Sequence, residues 1–125
     1  MTLPVIDPLL SAVAHTLSLR WAYIDNALTF RQVSEEYASW HGLPEERILG
    51  AAVHEVLGVE ATEKLSAYWQ QVLSGKTVVF EGDMVFASNG KDAHIQVTYI
   101  PNKKDTKVMG FYIFIKDLSD ENCTI

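Results

Sequence analysis

Residues 58–76 read GVEATEKLSAYWQQVLSGK, and three further stretches follow: TVVFEGDMVFAS (77–88), DAHIQVTYIPN (92–102) and KVMGFYIFIKD (107–117). The first has helical spacing over 60–73. Ala61, Leu65, Tyr68, Trp69, Val72 and Leu73 fall on one face, and Gly75 ends the helix. The other three are strand patterns. In the middle one Ile95, Val97 and Tyr99 point one way, while His94, Gln96 and Thr98 point the other. The last strand, Val108 to Lys116, is apolar on both faces, which predicts a central place in the sheet. Asn89-Gly90 joins the first two strands with a strong hairpin signal. The polar run NKKDTK (102–107) predicts a solvated loop. One helix lying across such a sheet encloses a small interior, an arrangement suited to sensing or to holding a partner rather than to catalysis.

Upstream, Asp7-Pro8 opens a helix, with Asp suited to the N-cap and Pro to the first helical position. Leu9, Leu10, Val13, Ala14 and Leu17 share one face. This amphipathic extension (residues 1–19) either packs on its own sheet or forms a dimer contact, and a stripe so short leaves both open. Arg20 to Ile24 alternates as a strand, Asp25-Asn26 supplies a turn, and Leu28 to Val33 forms a second strand. Ser34 caps a short helix with Glu35 and Glu36 in its first turn. Tyr37 and Trp40 share its face, and Gly42 ends it. Pro44 restarts a helical turn through Leu49, which Gly50 stops, and AAVHEVLG (51–58) is a further short helical piece. Asp117-Leu118-Ser119 reads as a strand exit and a new helix start, so residues 119–125 are expected to begin a linker.

At 125 residues the chain is one domain, long enough to bury a core. Its hydrophobic content of 48% and charged content of 21% are those of a globular chain. A net charge of −6 argues against nucleic acid, which needs a basic face, and against an anionic membrane surface. No apolar run is long enough to span a bilayer, so no direct membrane insertion is expected. The lone Cys123 fits a reducing compartment, and the N-terminus makes a poor signal peptide; the expected location is the cytoplasm. Catalytic constellations are missing from the pattern. Glu35-Glu36, Glu45-Glu46 and Glu60/Glu63 are first-turn helix acids, better explained by the macrodipole than by chemistry. Lys103, Lys104 and Lys107 read as a solvated tip.

The order of elements resembles that of the PAS domain, and so do specific runs. EEYASWHGLPEERILG (35–50) is similar to the family's aromatic helix leading to a glycine and an acidic turn ending in Ile-Leu-Gly. VLSGKTVVFEGDMVF (72–86) matches the exit of the long helix into the next strand. IQVTYIPNKKDTKVMGFYIFIKDLSD (95–120) is similar to the family's C-terminal part, where a strand ends in Tyr-x-Pro and a glycine-containing strand closes on Asp-hydrophobic-Ser/Thr. The resemblance covers about residues 20–120, with residues 20–118 as the domain. It implies an α+β fold: a five-stranded antiparallel sheet in the order 2-1-5-4-3 with helices on one face, preceded here by the amphipathic helix. It also implies a non-enzymatic regulatory module ahead of an output domain, commonly a histidine kinase or a cyclic-di-GMP enzyme of the GGDEF or EAL type, with Asp117, Leu118 and Ser119 as the signal exit.

The resemblance also bears on cofactors. Flavin-thiol photochemistry needs a cysteine where this chain has Val53, so that adduct is excluded. Haem-binding members commonly use a histidine of the long helix, and residues 60–73 contain none; His54 is only a marginal alternative. No metal site is expected, because the histidines do not recur at ligand spacing. Strand alternation, checked against the family layout, gives the pocket wall as Tyr37, Trp40, Val53, Val56, Leu57, Trp69, Val97, Tyr99, Phe111, Ile113 and Ile115. That set suits a small apolar or aromatic ligand, with Tyr hydroxyls and Trp N–H as polar handles. So many bulky groups in so small a domain nevertheless favour a filled core over an open pocket. Two functions follow: a sensor that relays a small-molecule or conformational signal, and a ligand-free dimerisation module using Leu9, Leu10, Val13 and Leu17.

Overall fold

The computed structural model describes residues 20–85 and 92–118. The helix expected over Asp7–Leu17, the turn expected at Asn89-Gly90, Ser119 and Cys123 lie outside these residues. Five strands, β1 (Arg20–Asp25), β2 (Phe30–Val33), β3 (Val78–Val85), β4 (Asp92–Lys104) and β5 (Lys107–Asp117), form one antiparallel sheet in the order β2-β1-β5-β4-β3. Four helices lie between β2 and β3 in the chain: α1 (Glu35–His41), α2 (Glu45–Ile48), α3 (Val53–Leu57) and α4 (Val59–Leu73).

The two-residue period of the strands decides which face is buried. Ile113 of β5 sits opposite Tyr99 of β4 and Ala22 of β1, and Phe111 sits opposite Ile24. All five are buried and share one core with Ile95, Val97 and Ile115. The helices close that core from one side with Tyr37, Ala38, Ile48, Val53, Val56, Leu57, Trp69 and Val72. The place expected for β5, paired on both edges, follows from its near-continuous apolar run.

Local chemistry sets the helix ends. The Ser34 hydroxyl accepts the Tyr37 N–H at 3.0 Å and the Trp21 N–H at 3.1 Å, so one side chain caps α1 and ties it to β1. Gly42 ends α1 in the left-handed region at φ 72. The Ala52 N–H donates to the Glu55 carboxylate at 3.0 Å, holding the start of α3.

Two boundaries differ from the sequence reading. β2 begins at Phe30, not Leu28. The Asp25 carboxylate accepts the N–H groups of Ala27 and Thr29 and the Arg31 Nε–H, which builds a tight turn and puts Leu28 at φ 59. Residues 28–30 then bond to the 50–53 segment, through Val53 N–H to the Leu28 carbonyl and Phe30 N–H to the Ala51 carbonyl. The NKKDTK run is also mostly strand. Lys104 pairs with Lys107 across a two-residue turn, Asp105-Thr106, with Asp105 at φ 59. The polar composition hid the strand because this hairpin tip is solvated on both faces.

Gly110 is required by close approach. A Cβ there would collide with the Ile24 carbonyl oxygen and lie 2.6 Å from the Tyr23 hydroxyl and 2.8 Å from the Asp25 Cα. Gly110→Ala is therefore expected to destabilise the domain by about 3 kcal/mol, the upper end of overpacking costs. Urea unfolding measures it, and a loss near zero would refute the close approach. His41 supplies a second test. It is 1% exposed, with its ring 4.6 Å from Tyr37 and 5.5 Å from Trp40, and burial lowers its pKa to about 4. The unfolded chain takes up a proton near pH 6.5 that the folded one refuses. The folded state thus keeps this advantage above pH 6.5 and loses it as the pH falls toward 4, by at most about 3 kcal/mol. The wild type should lose more stability between pH 7 and 4.5 than His41→Phe does; equal losses would refute the assignment.

Candidate ligand cavity

The interior is not filled. A cavity of about 390 Å³ lies between the first turns of α4 and the inner face of β3, β4 and β5. This differs from the expectation of a closed core, and the reason is local. The wall includes Gly58, Ala61 and Gly82. A Cβ built at Gly82 would meet nothing within 4 Å. Small residues at the start of α4 and in the edge strand leave the space that large residues occupy elsewhere. The cavity reaches the surface beside Val59, which is 74% exposed, and the exposed Glu60, Lys64 and Asp83.

Of the residues named from sequence, Tyr37, Leu57, Val97, Tyr99, Ile113 and Ile115 line this cavity. Val53, Val56, Trp69 and Phe111 are buried in the surrounding core and are not part of the wall. Trp40 lies apart, half-buried in a surface hollow with Arg20, Glu36 and Ser39, and the Arg20 guanidinium stands 5.4 Å from its ring centroid. Leu65, Phe80 and Ile95 line the wall and were not singled out. Leu65 and Ile95 stood on the apolar faces already read from spacing, and Phe80 alternates inward in β3, so periodicity carried the signal. Asp117 ends β5 opposite Ile95, and Leu118 is half-buried.

An aromatic series surrounds the cavity. Tyr68 stacks on Phe80 at 4.0 Å and 3°, Phe80 meets Tyr99 edge-on at 5.5 Å, and Tyr99 tilts against Phe111 at 5.2 Å. The Trp69 Nε1–H donates to the Tyr99 hydroxyl oxygen at 3.2 Å. Burial holds the pKa of Tyr99 well above the usual phenol value, against the opposing effect of the Trp69 bond. Burial does the same to Tyr37, and nearby Tyr99 adds to it. Both are protonated at any physiological pH. The charged groups of the wall all stand at the rim. Asp83 pairs there with His94, at 2.9 Å, on the surface.

Among the described residues no cluster of three His, Cys, Asp or Glu side chains could hold a metal ion. His54 is exposed on α3 and is not part of the cavity wall; His41 is packed in the core. No helix among the described residues is long and apolar enough to cross a membrane.

The family model of the PAS fold matches residues 15–122. The chain belongs to the PAS family. The solved PAS domain of a Colwellia psychrerythraea protein superposes with a TM-score of 0.72 at 14% identity, covering 90% of this chain and 98% of that one. The PAS domain of a LuxR-family transcriptional regulator from Burkholderia thailandensis, solved in complex with ethanol, gives 0.68 at 14% identity, covering 91% and 99%. VqmA of Vibrio cholerae, solved with a ligand and DNA, gives 0.74 at 20% identity; 94% of this chain aligns with 54% of that one. A comparison with curated proteins finds no match. PAS domains are sensory modules of a generally non-catalytic kind.

Proposed function

We propose that this PAS domain senses a small apolar or aromatic molecule in the α4–sheet cavity and passes the signal to a C-terminal output domain. The observation that carries this reading is that β5 both walls the cavity, through Ile113 and Ile115, and ends at Asp117. A ligand that displaces those side chains acts on the strand that leaves the domain. Asp117, Leu118 and Ser119 form the exit, and residues 119–125 begin the linker. The output domain is a GGDEF/EAL-type cyclic-di-GMP enzyme or a histidine kinase of a bacterial signalling protein in the cytoplasm. The ethanol-bound LuxR-family PAS domain and the ligand-bound, DNA-bound VqmA lend support as regulators of similar fold. In this reading the parent is a homodimer joined through Leu9, Leu10, Val13 and Leu17 of the N-terminal extension, residues 1–19.

Filling the cavity tests this against the reading as a ligand-free dimerisation module. A Cβ at Gly82 would meet nothing within 4 Å, so Gly82→Leu starts its side chain into open space. It buries new apolar surface and should stabilise the domain by about 1 kcal/mol. Native mass spectra of freshly purified domain should then show co-purifying ligand mass on the wild type and none on Gly82→Leu, and the output of the intact parent should lose its response. An unchanged output with the cavity filled would favour the dimerisation module.

A further inference from the structure

The cavity wall carries two phenol side chains, Tyr37 and Tyr99. Tyr37 is 1% exposed and lines the cavity, and among the described residues its hydroxyl makes no hydrogen bond, although it is not one of the fully enclosed unpaired atoms. A phenol hydroxyl with no acceptor in the protein can give its proton to an acceptor on a bound molecule. Tyr99 is 2% exposed and also lines the cavity. Its oxygen is already taken as an acceptor by the indole of Trp69, which can only donate. The Tyr99 proton is thereby left to be given, and among the described residues it has no acceptor.

Two phenolic donors thus share one apolar chamber with Phe80, Ile95, Val97 and Ile113. We propose that Tyr37 and Tyr99 form a paired hydrogen-bond donor that selects neutral ligands presenting an acceptor, a carbonyl oxygen or an aromatic ring nitrogen, on a compact apolar body. The proposal rests on the sensor reading above and names the ligand class of that same site.

The selection has three physical parts. Both phenols stay protonated, since burial raises the pKa of each, with nearby Tyr99 adding to the rise at Tyr37. They are donors at every physiological pH. Among the described residues the lining offers no buried ammonium or guanidinium to balance an anion and no buried carboxylate to balance a cation. The charged wall residues Glu60, Lys64 and Asp83 are exposed at the rim. A charged ligand would lose its hydration without a counterion, which is more costly than losing a neutral one's. A pure hydrocarbon would leave both phenols unpaired, and a site built to bond an acceptor discriminates against analogues that lack it. The volume, about 390 Å³, is at the small end of ligand pockets.

Three probes of one shape separate these effects: acetophenone with its carbonyl, ethylbenzene without it, and benzoate with a charge. Binding is read by chemical-shift titration of the purified domain. Acetophenone is expected to bind tightest and benzoate weakest. Tyr37→Phe and Tyr99→Phe should each weaken acetophenone about fivefold, the worth of one hydrogen bond. The double variant should bring acetophenone to the affinity of ethylbenzene, whose own binding stays unchanged. Thermal unfolding guards against a structural explanation: Tyr37→Phe removes an unpaired hydroxyl and should leave the empty domain at least as stable as the wild type. Equal binding of acetophenone and ethylbenzene, unmoved by either substitution, would overturn the paired donor while leaving the cavity as a ligand site. Failure of both neutral probes to bind would overturn the sensor reading and this proposal with it. A large loss of stability in Tyr37→Phe would overturn the claim that its hydroxyl is reserved for a ligand.

Discussion

The pairing of β5 with β1 on one edge and β4 on the other is the constraint on which the rest of the molecule depends. It joins the first described strand to the last, across the whole chain. Such non-local pairing must be secured by its own side chains, because loop closure is costly before any contact forms. The inward residues Phe111, Ile113 and Ile115 provide that, each facing a buried partner on at least one neighbouring strand. At Gly110 the two strands come so close that no side chain fits. Once β1, β5 and β4 are in register, the four helices have one apolar face to cover, and their own apolar residues are spaced to cover it.

The covering is uneven, and the unevenness makes the cavity. Toward the C-terminal end of α4, Trp69 and Val72 are fully buried against the core. Toward its N-terminal end the helix presents Val59, Ala61 and Leu65 to an edge strand carrying Gly82. A glycine in a strand interior weakens the strand and offers nothing to pack. Here it faces inward, opposite the buried Ile95. The small residues therefore stand together on both sides of one gap. A domain built for core density alone would place a larger side chain at 82, where a Cβ would meet nothing within 4 Å.

Periodicity made most of the fold readable. The strand alternation of Ile95, Val97 and Tyr99 and the doubly apolar β5 gave the sheet its inner face and its centre. The α4 face and the Ser34 and Gly42 ends of α1 were also visible, because caps follow side-chain chemistry. What escaped was set by tertiary context. The Asp25 carboxylate gathers two backbone N–H groups and Arg31, which forces Leu28 out of the strand. The solvated 102–107 tip lacks the apolar alternation by which strands are recognised. For the site, six named residues reach the cavity because they lie on inward strand or helix faces. Trp69 and Phe111 share such faces but stand further along them, where the core closes. Trp40 is drawn outward to Arg20. An open volume depends on what is missing between two elements, and a list of large residues cannot show it.

In the proposed sensor, the location of the gap links it to signalling. Ile113 and Ile115 line the cavity from β5, and two residues after Ile115 the strand ends at Asp117, which pairs with Ile95, another wall residue. A ligand wedged against these side chains has differential contact with any arrangement in which the end of β5 shifts, and such differential contact is what a ligand needs to move an equilibrium. The opposite edge offers no such lever. β2 lies on the far side of β1, and the cavity wall contains no residue of either strand. The sheet thus has a packed side, pinned at Gly110 and by the buried Ile24 and Phe111, and an open side, where β3, β4 and the end of β5 surround space. In the proposed sensor, a ligand therefore acts on the open side, where β5 ends at Asp117.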